Sequence, residues 1–149
     1  MKQTKLNALM RDLESKDFAT TAGTDMHLRM SKIVFHDGNF IGDTDIVSSI
    51  KKDPELREIM GPLSRTEVPL AGYINGKFLS RRIDRLYVNL KTKTVIVLDY
   101  KTDTDKKTYY EKYHVQLSEY QELLKQIYPN FDIKCKILWL CDFTLENII

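Results

Sequence analysis

Between two stretches of alternating character stands Ile74-Asn75-Gly76-Lys77. Asn-Gly in that setting is the strongest short-range hairpin signal, because both residues tolerate the positive φ of a type I′ turn. With Asn75 and Gly76 as a two-residue loop, 74 pairs with 77, and counting outward sets Glu67 opposite Asp84. The next connection, Asn89 to Thr94, closes either at 91–92 or over four residues at 90–93. Both choices set Asp84 opposite Asp99. Phe78, Leu86, Val88 and Leu90 share parity with Asp84, which predicts that Asp84 lies on the core side of its strand. Val95 and Val97 share parity with Asp99 and Lys101, while Ile96 and Leu98 cover the other face, the pattern of a central strand buried on both sides.

Three carboxylates, Glu67, Asp84 and Asp99, are therefore expected in a row across three strands. Directly opposed side chains have Cβ atoms about 4.5–5.5 Å apart, and like charges there are destabilising. Such a row calls for a divalent cation, a raised carboxylate pKa or a nearby base. Lys101, two residues beyond Asp99, projects from the same face, but one ammonium does not balance three acids. A hard cation with oxygen ligands, Mg²⁺ or Mn²⁺, is the economical answer. A metal held by two carboxylates beside a lysine suits phosphodiester hydrolysis. The hairpin 77–93 carries Lys77, Arg81, Arg82, Arg85, Lys91 and Lys93 against the single acid Asp84, an excess that could meet backbone phosphates.

The rest of the chain gives a coarse order. Leu6, Leu9, Met10 and Leu13 predict an amphipathic helix over 3–15. A second helix is expected from a cap at Thr20 or Thr21 through Met26, Met30 and Val34, followed by the turn-rich HDGNFIGD. Helices are expected at 44–52, and after Asp53-Pro54 up to Gly61-Pro62. After the three strands a long helix over 106–127 carries the apolar stripe Tyr113, Leu117, Tyr120, Leu124 and Ile127, and a last strand covers 133–141. This order predicts an α/β (α+β) protein with a mixed central sheet, an antiparallel three-strand meander flanked by helices. At 149 residues, and with no linker or repeat, a single domain over 1–149 is expected.

Other classes are excluded. No apolar run approaches the ~20 residues of a membrane span. The opening MKQTKLNALMRDLESKD is charged throughout, so a cytoplasmic protein without an export signal is expected. Cys135 and Cys141 cannot supply a four-thiolate zinc or iron–sulfur site, and are expected to be buried thiols on the Trp139 side of the last strand. The formal net charge of +2 leaves a nucleic-acid partner open, because placement matters and the sum does not.

The motifs in order resemble those of the PD-(D/E)XK nuclease superfamily, RecB type. Gly23-Thr24-Asp25-Met26-His27 is similar to its G-x-x-x-H helix, Glu67-Val68-Pro69 to its E-x-P strand, and Arg82-Ile83-Asp84-Arg85 to its I-D-R strand. Asp99-Tyr100-Lys101-Thr102 is similar to D-Y-K-T, and Gln116-Leu117-Ser118-Glu119-Tyr120 to Q-L-x-x-Y. The nearest likeness is to the C-terminal nuclease domain of AddA/RecB-like helicase–nucleases. The resemblance covers residues 23–120 and implies a restriction-endonuclease-like core. It implies a Mg²⁺- or Mn²⁺-dependent deoxyribonuclease, exonuclease in preference to endonuclease, acting in DNA repair and recombination. By it, His27, Asp84, Asp99 and the backbone carbonyl of Tyr100 would bind the metal, Lys101 would be the catalytic lysine and Glu67 a supporting acid. Gln116 and Tyr120, one helical turn apart, would line the DNA path or steady the site, and Arg82 and Arg85 would bind DNA or support the site.

The family's four-cysteine iron–sulfur variant is excluded by the cysteine count. Gly72 to Phe78 lacks the spacing of a Walker A loop, so no nucleotide cofactor is expected in this chain, and a helicase motor domain or subunit is the expected partner besides DNA. A non-catalytic DNA- or protein-binding module on the same fold is the alternative.

Overall fold

The structure, a computed structural model, describes residues 25–149. The expected helix at 3–15, the caps Thr20 and Thr21, and Gly23 lie outside the described residues. Helical residues 25–31 (α1) lead into a small hairpin of β1 (Val34–His36) and β2 (Asn39–Ile41). Then follow α2 (Thr44–Lys52), α3 (Pro54–Ile59), β3 (Ser64–Ile74), β4 (Lys77–Asn89), β5 (Thr94–Lys101), α4 (Tyr110–Ile127), β6 (Asp132–Trp139) and β7 (Thr144–Asn147). The main sheet has the order β3-β4-β5-β6-β7, with β5 and β6 parallel and the other neighbours antiparallel. The mixed α+β sheet flanked by helices is therefore as expected. No helix among the described residues is long and apolar enough to cross a membrane.

Local chemistry accounts for the elements. Asp43 and Asp53 cap α2 and α3, each carboxylate accepting two backbone N–H groups, and Pro54 opens α3. Asn75 and Gly76 have φ of 50° and 78°, the turn chemistry expected of them. The second hairpin closes over four residues, since Asn89 pairs with Thr94, and Asn89 Oδ1 accepts from the amides of Lys91 and Thr92. The long helix starts at Tyr110 and not 106, because Asp105 takes the Lys107 and Thr108 amides into a separate turn. Ile127, at the end of the expected stripe, is exposed.

Three expectations are corrected. Val34 is in a strand, because Asp37-Gly38, with φ of 48° and 79°, makes a hairpin of what reads as a loop. The last predicted strand ends at Trp139 and β7 follows it, which leaves Cys135 buried but Cys141 exposed in the turn between them. Phe78 and Leu90 are 56% and 71% exposed, so they are no guide to the core side of β4.

The sheet separates two cores. Val95, Val97, Leu117, Tyr120 and Leu124 pack on the α4 side, and Met30, Ile50, Leu56, Leu98 and Tyr100 on the side of α1–α3. β5 is buried on both faces, as its alternation predicts. β4 changes sides along its length: Leu79 and Ile83 belong to the α4 core, and from Leu86 on it is the even residues that do, while Tyr87 joins the other core. The switch falls at Asp84. There Glu67 on β3 has φ 54°, a left-handed conformation in mid-strand, and the ladder runs Thr66–Arg85 and Val68–Ile83 with Glu67 and Asp84 skipped between them. A non-glycine residue held in that region costs of order 1–3 kcal/mol and is found where surrounding structure imposes it.

Candidate active site

The register sets Asp84 level with Asp99, as counted from the turns, but the last ladder pair of β4 and β5 is Arg85–Leu98. Beyond it the strands part. The Tyr100 N–H donates to Asp84 Oδ2 at 2.8 Å, so a carboxylate takes the place of a strand carbonyl. Asp84 Oδ1 lies 3.8 Å from His27 Nδ1, which α1 brings to the same point from the other side of the sheet. The His27 ring also meets Tyr100 edge-on, at 5.9 Å between centroids. The Asp84 carboxylate beside His27 holds its pKa above the usual value, against the opposing effect of partial burial.

Asp99 is 4% exposed on the α4 side. Lys101 Nζ stands 2.9 Å from its Oδ2 in a buried ion pair, and Oδ2 has no other partner among the described residues. Burial pushes the Asp99 carboxyl up to about 6; the Lys101 charge opposes this and the Asp84 carboxylate adds to it. The Lys101 ammonium donates to Gln116 Oε1 at 3.0 Å and sits 4.2 Å from the centroid of the Tyr113 ring. Gln116 Nε2 in turn donates to Tyr120 Oη at 3.0 Å, and Tyr120 Oη to the Arg82 carbonyl at 3.5 Å. Burial pushes the Tyr120 phenol up to about 12, so it stays a hydrogen-bond donor across the physiological range. The Tyr113 hydroxyl donates to Asp103.

His27, Asp84, Asp99, Tyr100, Lys101, Gln116 and Tyr120 are thus brought together at the parting of β4 and β5. Glu67 has a different partner: its carboxylate lies 3.5 Å from the exposed Arg82 guanidinium. The left-handed backbone at Glu67 removes it from the ladder, which a count of registers does not reveal. Arg85 is corrected as a DNA contact. It is 2% exposed on the α1 side, where Nε donates to Tyr100 Oη at 3.0 Å, Nη1 to Ser64 Oγ at 3.0 Å and Nη2 to the Ile33 carbonyl at 2.5 Å. It supports the site from behind, tying α1 to the strand that carries Asp99. Tyr113 reads as a core residue in sequence, and its place over Lys101 has no sequence signal beyond its position one turn before Leu117.

Chemically, two carboxylates, an imidazole and a strand carbonyl suit a hard divalent cation, and the buried Asp99 Oδ2 has only the Lys101 ammonium as a partner among the described residues. Among the described residues, no three His, Cys, Asp or Glu side chains already close around one point. The donors are adjacent; drawing them together would be the cation's part. Two further hollows, both lined by Pro62 and Arg65 among others, lie along β3.

No protein-family model matches the chain, and no curated protein matches it. The chemistry of the site is carried by its own residues.

Proposed function

We propose that this chain is a Mg²⁺- or Mn²⁺-dependent deoxyribonuclease on a restriction-endonuclease-like core, working in the cytoplasm as the nuclease module of a helicase–nuclease in double-strand-break repair. One observation carries the reading: the buried Asp99 carboxyl, pushed up to about 6 by burial and by the Asp84 carboxylate beside it, with the Lys101 ammonium at 2.9 Å. Groups kept in that condition cluster at functional sites, because stability alone would remove them. In this reading Asp84 and Asp99 hold the cation, with His27 and the Tyr100 carbonyl as further donors. When bound, the cation would polarise the phosphoryl group and make its water more acidic.

The remaining work falls to side chains of this chain. Lys101 would orient the attacking water or take its proton, and offset the negative charge that grows on the phosphoryl oxygens. Gln116 and the Tyr113 ring fix where its ammonium sits. Tyr120, through Gln116, is a positioning residue. Arg82 is 72% exposed, and its pairing with Glu67 at 3.5 Å is open to exchange for a backbone phosphate.

The test is incubation of end-labelled linear DNA with the protein and Mg²⁺ or Mn²⁺. Cleavage that chelation stops and Asp99→Asn abolishes supports the reading; no cleavage, or equal cleavage by Asp99→Asn, overturns it. The absence of a closed three-donor cluster among the described residues favours a second reading, a non-catalytic DNA-binding module. DNA binding with no heat of Mn²⁺ binding in calorimetry would support it.

A further inference from the structure

Beside the acid pair, a cleft of about 450 Å³ runs between β4 and the first half of α4. Its wall includes Arg81, Lys101, Lys112, Gln116 and Glu119. Lys112, Gln116 and Glu119 recur at one-turn spacings along α4, so they form one stripe of the helix. Arg81 has the parity of Leu79 and Ile83, which turns it toward α4 from the strand side. Three cations thus face a single acid.

That acid is taken. Glu119 Oε2 accepts from Arg81 Nη2 at 3.0 Å, and the two side chains are about one-third exposed, 30% and 36%. Lys112 is exposed and has no ion-pair partner among the described residues. The cleft is continuous with the candidate active site, because Gln116 and Lys101, bonded to each other, line it.

We propose that this cleft is a phosphate subsite, in which Arg81 and Lys112 grip a backbone phosphodiester of the bound strand and Glu119 is a built-in competitor that the phosphate displaces from Arg81. The identity of the polyanion rests on the nuclease reading; the anion site itself does not. The physical reasons are three. The guanidinium fork fits a phosphate as well as a carboxylate, with two parallel charge-assisted hydrogen bonds. A partly exposed ion pair is weak, so exchanging its carboxylate costs little, and the displaced Glu119 is wetted at once. Lys112, without a partner, adds attraction that Glu119 does not offset. A phosphate held here lies along the wall that leads to Lys101, so the site would fix the strand's position relative to the acid pair and take no part in bond cleavage.

The arrangement has an uncommon signature: removing the acid should strengthen binding, and only while Arg81 is present. The experiment measures fluorescence anisotropy of a labelled single-stranded oligothymidylate in EDTA, where no divalent cation permits cleavage. Arg81→Ala and Lys112→Ala are each expected to weaken binding roughly three- to tenfold and to flatten the salt dependence by about 0.7 per lost contact. Glu119→Gln is expected to tighten binding severalfold, and to have no effect in the Arg81→Ala background. An oligomer of the same sequence with a neutral methylphosphonate backbone should respond to none of these changes. Thermal melting of each variant shows whether it is folded, and Lys112→Ala removes no side-chain hydrogen bond or ion pair among the described residues. Affinities for the charged strand that are all within twofold of the parent overturn the proposal, as does weaker binding by Glu119→Gln. Because the assay needs no metal, the subsite stands or falls separately from the nuclease: a chain that cleaves DNA but ignores these substitutions loses the subsite alone.

Discussion

Lys101 Nζ approaches Asp99 Oδ2 to 2.9 Å, and this buried ion pair is the one polar contact of that oxygen among the described residues. The pair sits at the end of a strand otherwise buried on both faces, where a stable fold has no use for it.

Replacing Asp99 by Asn should therefore stabilise the metal-free protein at neutral pH while abolishing cleavage. The Asp99 carboxyl is raised to about 6 in the folded state, so folding favours its protonated form. The cost is absent below the ordinary carboxylate range and is reached in full above pH 6. Asp99→Asn should gain on the order of 1–3 kcal/mol at pH 7.5 and little at pH 4, read by urea unfolding at both values. Equal gains at the two values would contradict the assignment.

Metal should reverse that penalty. Mn²⁺ binding must release the proton held by Asp99, so its affinity should rise between pH 5.5 and 7.5. Saturation at 100 times Kd should stabilise the protein by about 2.7 kcal/mol. A melting temperature that responds to Mn²⁺ equally in the parent chain and in Asp84→Asn with Asp99→Asn would show binding elsewhere.

His27 is shifted in the same direction. Its pKa is raised by Asp84, so its contribution to stability is complete below its ordinary value of 6.5 and fades as pH climbs through the raised one. His27→Ala should lower the melting temperature more at pH 5.5 than at pH 8.5.

Lys101→Met should keep the fold and lose roughly 10²–10⁴ of the rate at saturating DNA, the scale of proton transfer and charge stabilisation by one group. A change confined to KM would make Lys101 a binding group only. Arg85→Met should instead unfold the protein more easily, by about 2–4 kcal/mol, because the Tyr100 hydroxyl and the Ile33 carbonyl lose a buried donor. Arg85→Lys should recover little, since a point charge cannot span those acceptors. Both are read by chemical denaturation.

How much of this was legible follows from what each signal depends on. The turn at Asn75-Gly76 sets the register, and a register is a count, so Asp84 and Asp99 come out level from sequence. The count says nothing of φ at Glu67, whose left-handed backbone takes it out of the ladder, nor of the change of faces that made Phe78 and Leu90 misleading. Arg85 reads as one more basic residue on a hairpin because burial of a guanidinium depends on the acceptors α1 and β3 bring to it. β7 is four residues long, too short for any period to be visible, whereas Asp37-Gly38 held a signal of the same kind as Asn75-Gly76 and reads as a loop only for want of alternation around it.

Ile83, Asp84 and Arg85 are consecutive, yet they go to one core, to the parting of the strands and to the other core. Two separately packed layers therefore grip the backbone immediately before and after the acid. Inserting or deleting a single residue there would drive a guanidinium into one oily layer or a bare aliphatic chain into a polar socket. The acid's coordinates are thus inherited from assembly itself: any copy of this chain that has managed to pack both layers already has Asp84 where it belongs, and a copy in which Asp84 is misplaced would fail as a folded molecule before it could fail as a catalyst.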